Sequence, residues 1–203
     1  EYIDAYFELG LFYQFDEKYQ DLEKAQQAYY QAAQKGNPDG MNGLAVIYYN
    51  MPDNRGNEQA FRWFSKSADL GDSLGLYYLA DMYENGFGTS VNKQKAWDLY
   101  LASAEQRFPA AYRKIGQLIE GGEAPESFTG TALEYYKKAA ARNDIDSIHD
   151  VIRLMKDTPE NQEELFSWCK RGAQLNDGYC ICQLGKFFFY GIGTEMDEFK
   201  AMD

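Results

Sequence analysis

The chain has 203 residues, is 45% hydrophobic and 16% aromatic, and carries a net charge of −12. This composition supplies a continuous core and excludes a disordered chain. The acidic balance argues against general binding to nucleic acid or to anionic membranes, which requires positive fields. No apolar run approaches the length of a membrane span.

The first expected helix centres on Leu9-Gly10, and the second opens at Lys24-Ala25 with KAQQAYYQAAQKGN. Both phrases then return. Leu44-Ala45, Leu79-Ala80, Ile115-Gly116, Val151-Ile152 and Leu184-Gly185 repeat the first, and Ala60, Ala96, Ala132 and Leu165 repeat the second, at intervals of 33 to 36 residues. Two independent phrases on one beat signify a repeat array. Each repeat holds a helix A around the Leu-Gly phrase and a helix B around the Lys-Ala phrase. The repeats run 1–37, 38–72, 73–108, 109–144, 145–177 and, in part, 178–203, and a single domain over 1–203 is expected.

Counting from the helix B alanine, large apolar residues fall at offsets three and four, as in Trp63 and Phe64 or Tyr135 and Tyr136. Small residues fall at seven and eight, as in Ala32 and Ala33 or Ser103 and Ala104. That is the stripe of an amphipathic helix, with small residues where the next helix comes close. Twelve residues after the helix B alanine, or after Leu165 in its place, stand Asn37, Asp72, Phe108, Asp144 and Asp177, four of which can cap the next helix A. Pro38 and Pro109 suit first helical turns, and Thr131 with Glu134 makes a capping box. Nothing alternates with the period of a strand, so the chain should be all-α.

Repeat three, LADMYENGFGTSVNKQKAWDLY, and the final LGKFFFYGIGTEMDEFKA approach, with substitutions, a pattern of Leu-Gly-x2-Tyr, Gly-x-Gly and Lys-Ala-x2-Trp-Tyr. The pattern resembles the Sel1-like repeat, a relative of the tetratricopeptide repeat, over the whole chain. The resemblance implies a right-handed α-solenoid of antiparallel helix pairs, with five full repeats and a partial sixth. It also implies an adaptor that binds a protein or peptide and catalyses nothing. Repeats one, two, four and five lack Gly-x-Gly between their helices. Helix B of repeats three to five ends in Arg107, Asn143 and Asn176 in place of glycine. Arginine tolerates the left-handed conformation of a helix end less well than asparagine, so those connections are expected to differ in shape.

In such arrays helix A lines the concave surface. Numbered from its Leu-Gly leucine, helix A points offsets −2, +2 and +5 away from the core. The candidate partner-binding residues so located are Phe7, Leu11, Val46, Tyr49, Tyr77, Arg113, His149, Arg153, Lys156, Lys186 and Phe189. The first half of the series is apolar and aromatic and the second half basic. A partner with apolar anchors and an acidic segment would fit. A second reading is structural: the ends of the array stack on flanking repeats or on another copy, with Phe187 and Phe188 making the C-terminal end adhesive.

Chemistry is sparse. Cys182 and His149 share offset −2 on successive helices A and would form a nucleophile and base in a remote, cysteine hydrolase-like reading, but no orienting third group is evident. Cys169 and Cys180 take core offsets, and packing outweighs a disulfide between them. In a cysteine-rich branch of the resembling family a disulfide joins helix B to the next helix A; here Ala173 stands where its first cysteine would be. Gly86-Phe-Gly88 and Gly191-Ile-Gly193 lack the preceding strand of a nucleotide loop. Zinc would need more histidine or paired cysteine, so no metal or cofactor is expected. An odd cysteine count without a framework favours a reducing, cytoplasmic setting; a signal peptide ahead of Glu1 would instead place the protein in the periplasm or outside the cell. The chain opens at Glu1 and stops at Lys200-Ala201, where a helix B would begin, so a piece of a longer protein is expected.

Overall fold

The structure, a computed structural model, describes residues 3–155 and 158–191. Among them lie eleven α-helices and no strand: α1 (Ile3–Phe15), α2 (Leu22–Gln34), α3 (Pro38–Tyr49), α4 (Asn57–Asp69), α5 (Ser73–Asn85), α6 (Lys93–Glu105), α7 (Pro109–Glu120), α8 (Ala132–Ala140), α9 (Ile145–Leu154), α10 (Gln162–Gln174) and α11 (Gly178–Tyr190). This is an all-α repeat fold in which odd-numbered helices are the helices A and even-numbered ones the helices B. Contacts gather into two compact units, Glu1–Phe108 with α1–α6 and Pro109–Asp203 with α7–α11. Within each unit every helix packs on the next in sequence, and in the first unit α1 also touches α3 and α3 touches α5.

One turn, used five times, ends each helix B. Gly36, Gly71, Arg107, Asn143 and Asn176 occupy equivalent positions, and all have left-handed backbone, with φ between 60° and 84°. At each, two amides close back on the helix. In the first turn Gly36 donates to the Ala33 carbonyl and Asn37 to that of Ala32, and the same pair recurs through Asp177 to Gly172, all at 2.8–3.4 Å. This is the Schellman motif. The sequence-based expectation that Arg107, Asn143 and Asn176 would alter the connection is therefore incorrect: the two hydrogen bonds hold the turn, and the side chains accept its strain.

The residue that closes one helix opens the next. Side chains of Asn37, Asp72, Asp144 and Asp177 accept the amides of Gly40, Gly75, Ser147 and Cys180 at 2.7–2.9 Å. Two residues thus reverse the chain, and helix A must lie close against the end of helix B. A β-carbon at Gly40 would overlap that of Ala32, and one at Gly75 would crowd Ser67. At the last junction the roles invert: helix B supplies Gly172 and helix A the larger Cys180, whose sulfur fills the space a side chain at 172 would need.

Around these junctions the cores assemble. In the first unit Ala25, Tyr29 and Leu44 form one cluster, and Ala45, Ala60, Phe64, Leu79 and Met82 another. In the second, Tyr136, Ala140, Ile148, Val151, Met155, Leu165 and Cys180 pack together. The capping box expected at Thr131 and Glu134 is present. Cys169 and Cys180 are buried free thiols.

The turn gives a direct test. A non-glycine residue in left-handed backbone costs about 1–2 kcal/mol, partly offset by the roughly 0.5–1 kcal/mol glycine loses in chain entropy. Arg107→Gly should raise the melting temperature and Gly71→Arg should lower it, each by the equivalent of roughly 0.5–1 kcal/mol. Shifts of the same sign for both would contradict this account of the turn.

Candidate functional site

Helix A offsets −2, +2 and +5 were the positions expected to face a partner. In the first unit they are half-buried, apart from Asn42, which is buried. Phe7 lies 5.9 Å from Tyr29, and with Leu11 it packs on the cluster of Ala25, Tyr29 and Leu44. Val46 and Tyr49 flank the second cluster. The Tyr49 hydroxyl donates to Asp81 Oδ2 at 2.7 Å, and its ring stands 6.0 Å from Phe87. Tyr77 sits between the rings of Tyr100 at 5.5 Å and Phe108 at 5.4 Å. Asn42 donates to Asp72 Oδ1 at 2.7 Å.

A regularity links these contacts. Offset −2 of one helix A reaches the cap of the next, as in Asn42 with Asp72 and Tyr77 with Phe108. Offset +5 reaches offset +2 of the next, as in Tyr49 with Asp81. Within a repeat, the buried helix B tyrosine donates to offset +5: Tyr29 to Gln14 at 2.6 Å and Tyr100 to Glu84 at 2.8 Å. Burial lifts the Tyr29 hydroxyl to about 12, and burial together with Glu84 drives that of Tyr100 far above the usual tyrosine range.

The second unit uses the same register with charge. Arg153 forks onto Glu120 at 2.6 and 2.9 Å and also reaches Asp150 at 3.0 Å. Tyr136 donates to the same Glu120 at 3.0 Å. These partners hold Glu120 below the usual carboxylate range, the Arg153 hydrogen bond being the main cause. Arg113 meets Asp146 at 2.6 Å. His149 Nε2 lies 2.8 Å from Asp177 Oδ1, with the Tyr179 ring 4.9 Å away. Lys186 and Phe189 on α11 are exposed, and Lys156 lies outside the described residues. Arg113, His149 and Arg153 of the basic half are thus matched by carboxylates, so Arg113 and Arg153 offer little net positive field.

His149 is engaged by Asp177 and Tyr179, which leaves the proposed nucleophile Cys182, exposed on α11, without a shown base. Burial raises the other two thiols, Cys169 to about 11 and Cys180, beside Asp177, to about 12, so both are poor nucleophiles at neutral pH.

One surface was missed from sequence. Tyr6, Leu9, Tyr13, Tyr30, Leu44 and Tyr48 line part of an open concavity of about 900 Å³ over α1, α2 and α3. Tyr6, Leu9 and Tyr13 occupy core offsets of helix A. The equivalents of the first two in the next repeat, Met41 and Leu44, are 7% and 0% exposed, whereas Leu9 is 41% exposed. The repeat register could have found these residues, because it marks Tyr6, Leu9 and Tyr13 as core offsets of a helix A.

The Sel1 repeat model matches residues 3–37, 38–72, 73–108, 109–144 and 178–203. An uncharacterized protein of Neisseria meningitidis serogroup B is 26% identical over 84% of this chain and 35% of its own length. An uncharacterized Sel1-like repeat-containing protein of Schizosaccharomyces pombe is 28% identical over 89% of this chain and 29% of its own. The chain thus spans about a third of the length of these relatives. The crystal structure of a Sel1 repeat protein from Oxalobacter formigenes superposes with a TM-score of 0.80 at 22% identity, covering 98% of this chain and 59% of that one. Among the described residues no helix is long and apolar enough to cross a membrane.

The Glu120 pair predicts a pH dependence. A carboxyl whose folded pKa lies below its ordinary value stabilises the fold above about 4.5 and loses that contribution as pH falls through the folded value. Glu120→Gln keeps an acceptor for Tyr136 but loses the ion pair, which at this exposure is worth about 0–1 kcal/mol. Its melting temperature should be slightly lower at pH 7, and the gap to the parent should narrow as pH falls below about 4.5. A gap that does not narrow on acidification would show that the ion pair is not the cause.

Proposed function

The chain belongs to the Sel1 repeat family, whose repeats form a non-enzymatic fold that mediates protein–protein interaction, and on that basis we propose that it holds a protein or peptide partner on the outward face of helices α1, α3 and α5. The observation that carries this reading is the half-buried aromatic and aliphatic series Phe7, Leu11, Val46, Tyr49 and Tyr77 in the first unit. Such residues supply large contact area with few torsions to freeze, and aromatic side chains dominate interface hot spots. Their present contacts pre-order them. Tyr49 and Tyr77 are already held by Asp81 and by the rings of Tyr100 and Phe108, so a partner meets a rigid surface.

The partner's chemistry follows from the charges. Arg113 and Arg153 are already paired, so an acidic segment would have to compete with Asp146, Asp150 and Glu120. Apolar anchors on the first unit are therefore the main recognition element of this proposal, and an acidic segment is secondary.

A second reading rests on a different observation. The core offsets Tyr6, Leu9 and Tyr13, with Leu9 exposed and the two tyrosines half-buried, line a concavity suited to another repeat helix. Self-association through this face would make the chain an assembling spacer.

Photo-crosslinking at Leu11 or Tyr77 would recover the partner, and Val46→Asp or Tyr77→Ala should then weaken its binding by about 2 kcal/mol, some thirtyfold, as expected of hot spots. Arg62→Ala, on the exposed face of α4, should not. Equal losses for all three, or none, would overturn the assignment of the face. For the second reading, the apparent mass should rise with concentration in sizing experiments and stay constant in Leu9→Glu. A chain that stays monomeric throughout removes that reading.

A further inference from the structure

His149 on α9, Asp177 at the cap of α11 and Cys180 in its first turn bring an imidazole nitrogen, a carboxylate oxygen and a sulfur within 4.8 Å of one another. The carboxylate is fixed by its capping role: Oδ1 accepts the amide of Cys180 at 2.8 Å and lies 2.8 Å from His149 Nε2. Tyr179 packs edge-on against the imidazole and limits its rotation. The thiol is buried, while the side chains of His149 and Asp177 retain 36% and 19% exposure. The cluster therefore has a dry sulfur at its floor and an opening to solvent. Space for the sulfur comes from Gly172, where any β-carbon would overlap it.

We propose that His149, Asp177 and Cys180 bind a zinc ion, with solvent as the fourth ligand. Nitrogen, oxygen and sulfur are the donors zinc takes from proteins, and three protein ligands with one open position is a common arrangement. Calcium and magnesium are disfavoured because two of the three donors are not oxygens. Bond lengths of about 2.0–2.3 Å around a tetrahedral ion place donor atoms roughly 3.5 Å apart, so the cluster closes by small side-chain rotations. As the zinc–sulfur bond forms, the Cys180 thiol releases its proton to solvent, and the ion takes over the hydrogen-bonding role of His149 toward Asp177.

The repeat register sharpens the assignment. The junction between α3 and α5 holds the equivalent pair Asn42 and Asp72, but Gly75 stands where Cys180 would be. Amide and glycine offer no comparable ligands. Reading along the sequence one finds too few zinc ligands, because the histidine lies 28 residues before the aspartate and only the fold places them together.

The test is titration of the chain with Zn2+ and, as a spectroscopic probe, Co2+. One equivalent should bind saturably, Co2+ should give a thiolate-to-metal charge-transfer band, and zinc should raise the melting temperature. Cys180→Ala restores a residue type found at Ala5 and Ala111 and so should fold; it should abolish the band and weaken zinc binding by more than the roughly 10–100-fold typical of an outer-shell change. His149→Gln should weaken it similarly with the thiol intact. Cys182→Ala should keep both band and affinity. No saturable uptake, a band that survives Cys180→Ala, or a band lost with Cys182→Ala would overturn the proposal.

Discussion

Each helix B ends and the next helix A begins within two residues, and the same backbone solution recurs every time. A left-handed residue reverses the chain, and the residue after it closes one helix through its amide and, at four of the five junctions, opens the next through its side chain. Because the turn is so short, the two helices cannot stand at an ordinary distance. One must present a glycine or alanine to the other, and where helix A carries Cys180, helix B gives way with Gly172. Within each unit, packing, register and the placement of the outward side chains depend on this junction. A change that lengthened it would not simply add a loop; it would rotate the following helix off its partner.

The same junction decides which outward residues can touch. With repeat spacing set, offset −2 falls beside the next cap and offset +5 beside the next offset +2. Hence Asn42 meets Asp72, His149 meets Asp177, Tyr49 meets Asp81 and Arg153 meets Glu120. The residues that vary between repeats, and so give the surface its chemistry, also connect the repeats. The two units do this differently. In the first the links are largely rings and a hydroxyl, and aromatic pairs are worth about 0.5–1.5 kcal/mol each beyond their burial. In the second they are half-exposed ion pairs, worth about 0–1 kcal/mol and weaker in salt.

Repeat period, helix order and caps were legible because each rests on local chemistry: the Lys-Ala stripe, Asp72 or Asp177 before a helix, Thr131 with Glu134. Arg107 misled because propensity counts the side chain's preference and omits the two amide bonds that hold the turn against it. The partners of the outward residues were not legible. Arg153 reads as a free positive charge until Glu120, 33 residues earlier, is seen across the junction. The face of Tyr6, Leu9 and Tyr13 was hidden for the opposite reason. A residue at a core offset is assumed buried, and its exposure depends on whether a neighbouring helix is present.

That last point bears on what kind of surface each face is. Leu9 and Leu44 hold the same place in successive repeats and differ only in cover, one 41% and the other 0% exposed. A face built from core offsets is shaped to accept a helix of the same repeat type, with ridges and small residues already in register. The outward offsets have no such built-in complement. Phe7, Val46 and Tyr77 repeat neither in size nor in polarity, and nothing in the repeat itself demands them. A surface whose residues recur in every repeat suits more of the same repeat, whereas a surface whose residues vary between repeats is free to match something different. The partner face proposed above is therefore the outward one of α1, α3 and α5, and the surface of core offsets over α1 and α2 is the one proposed to suit a helix of the same repeat type.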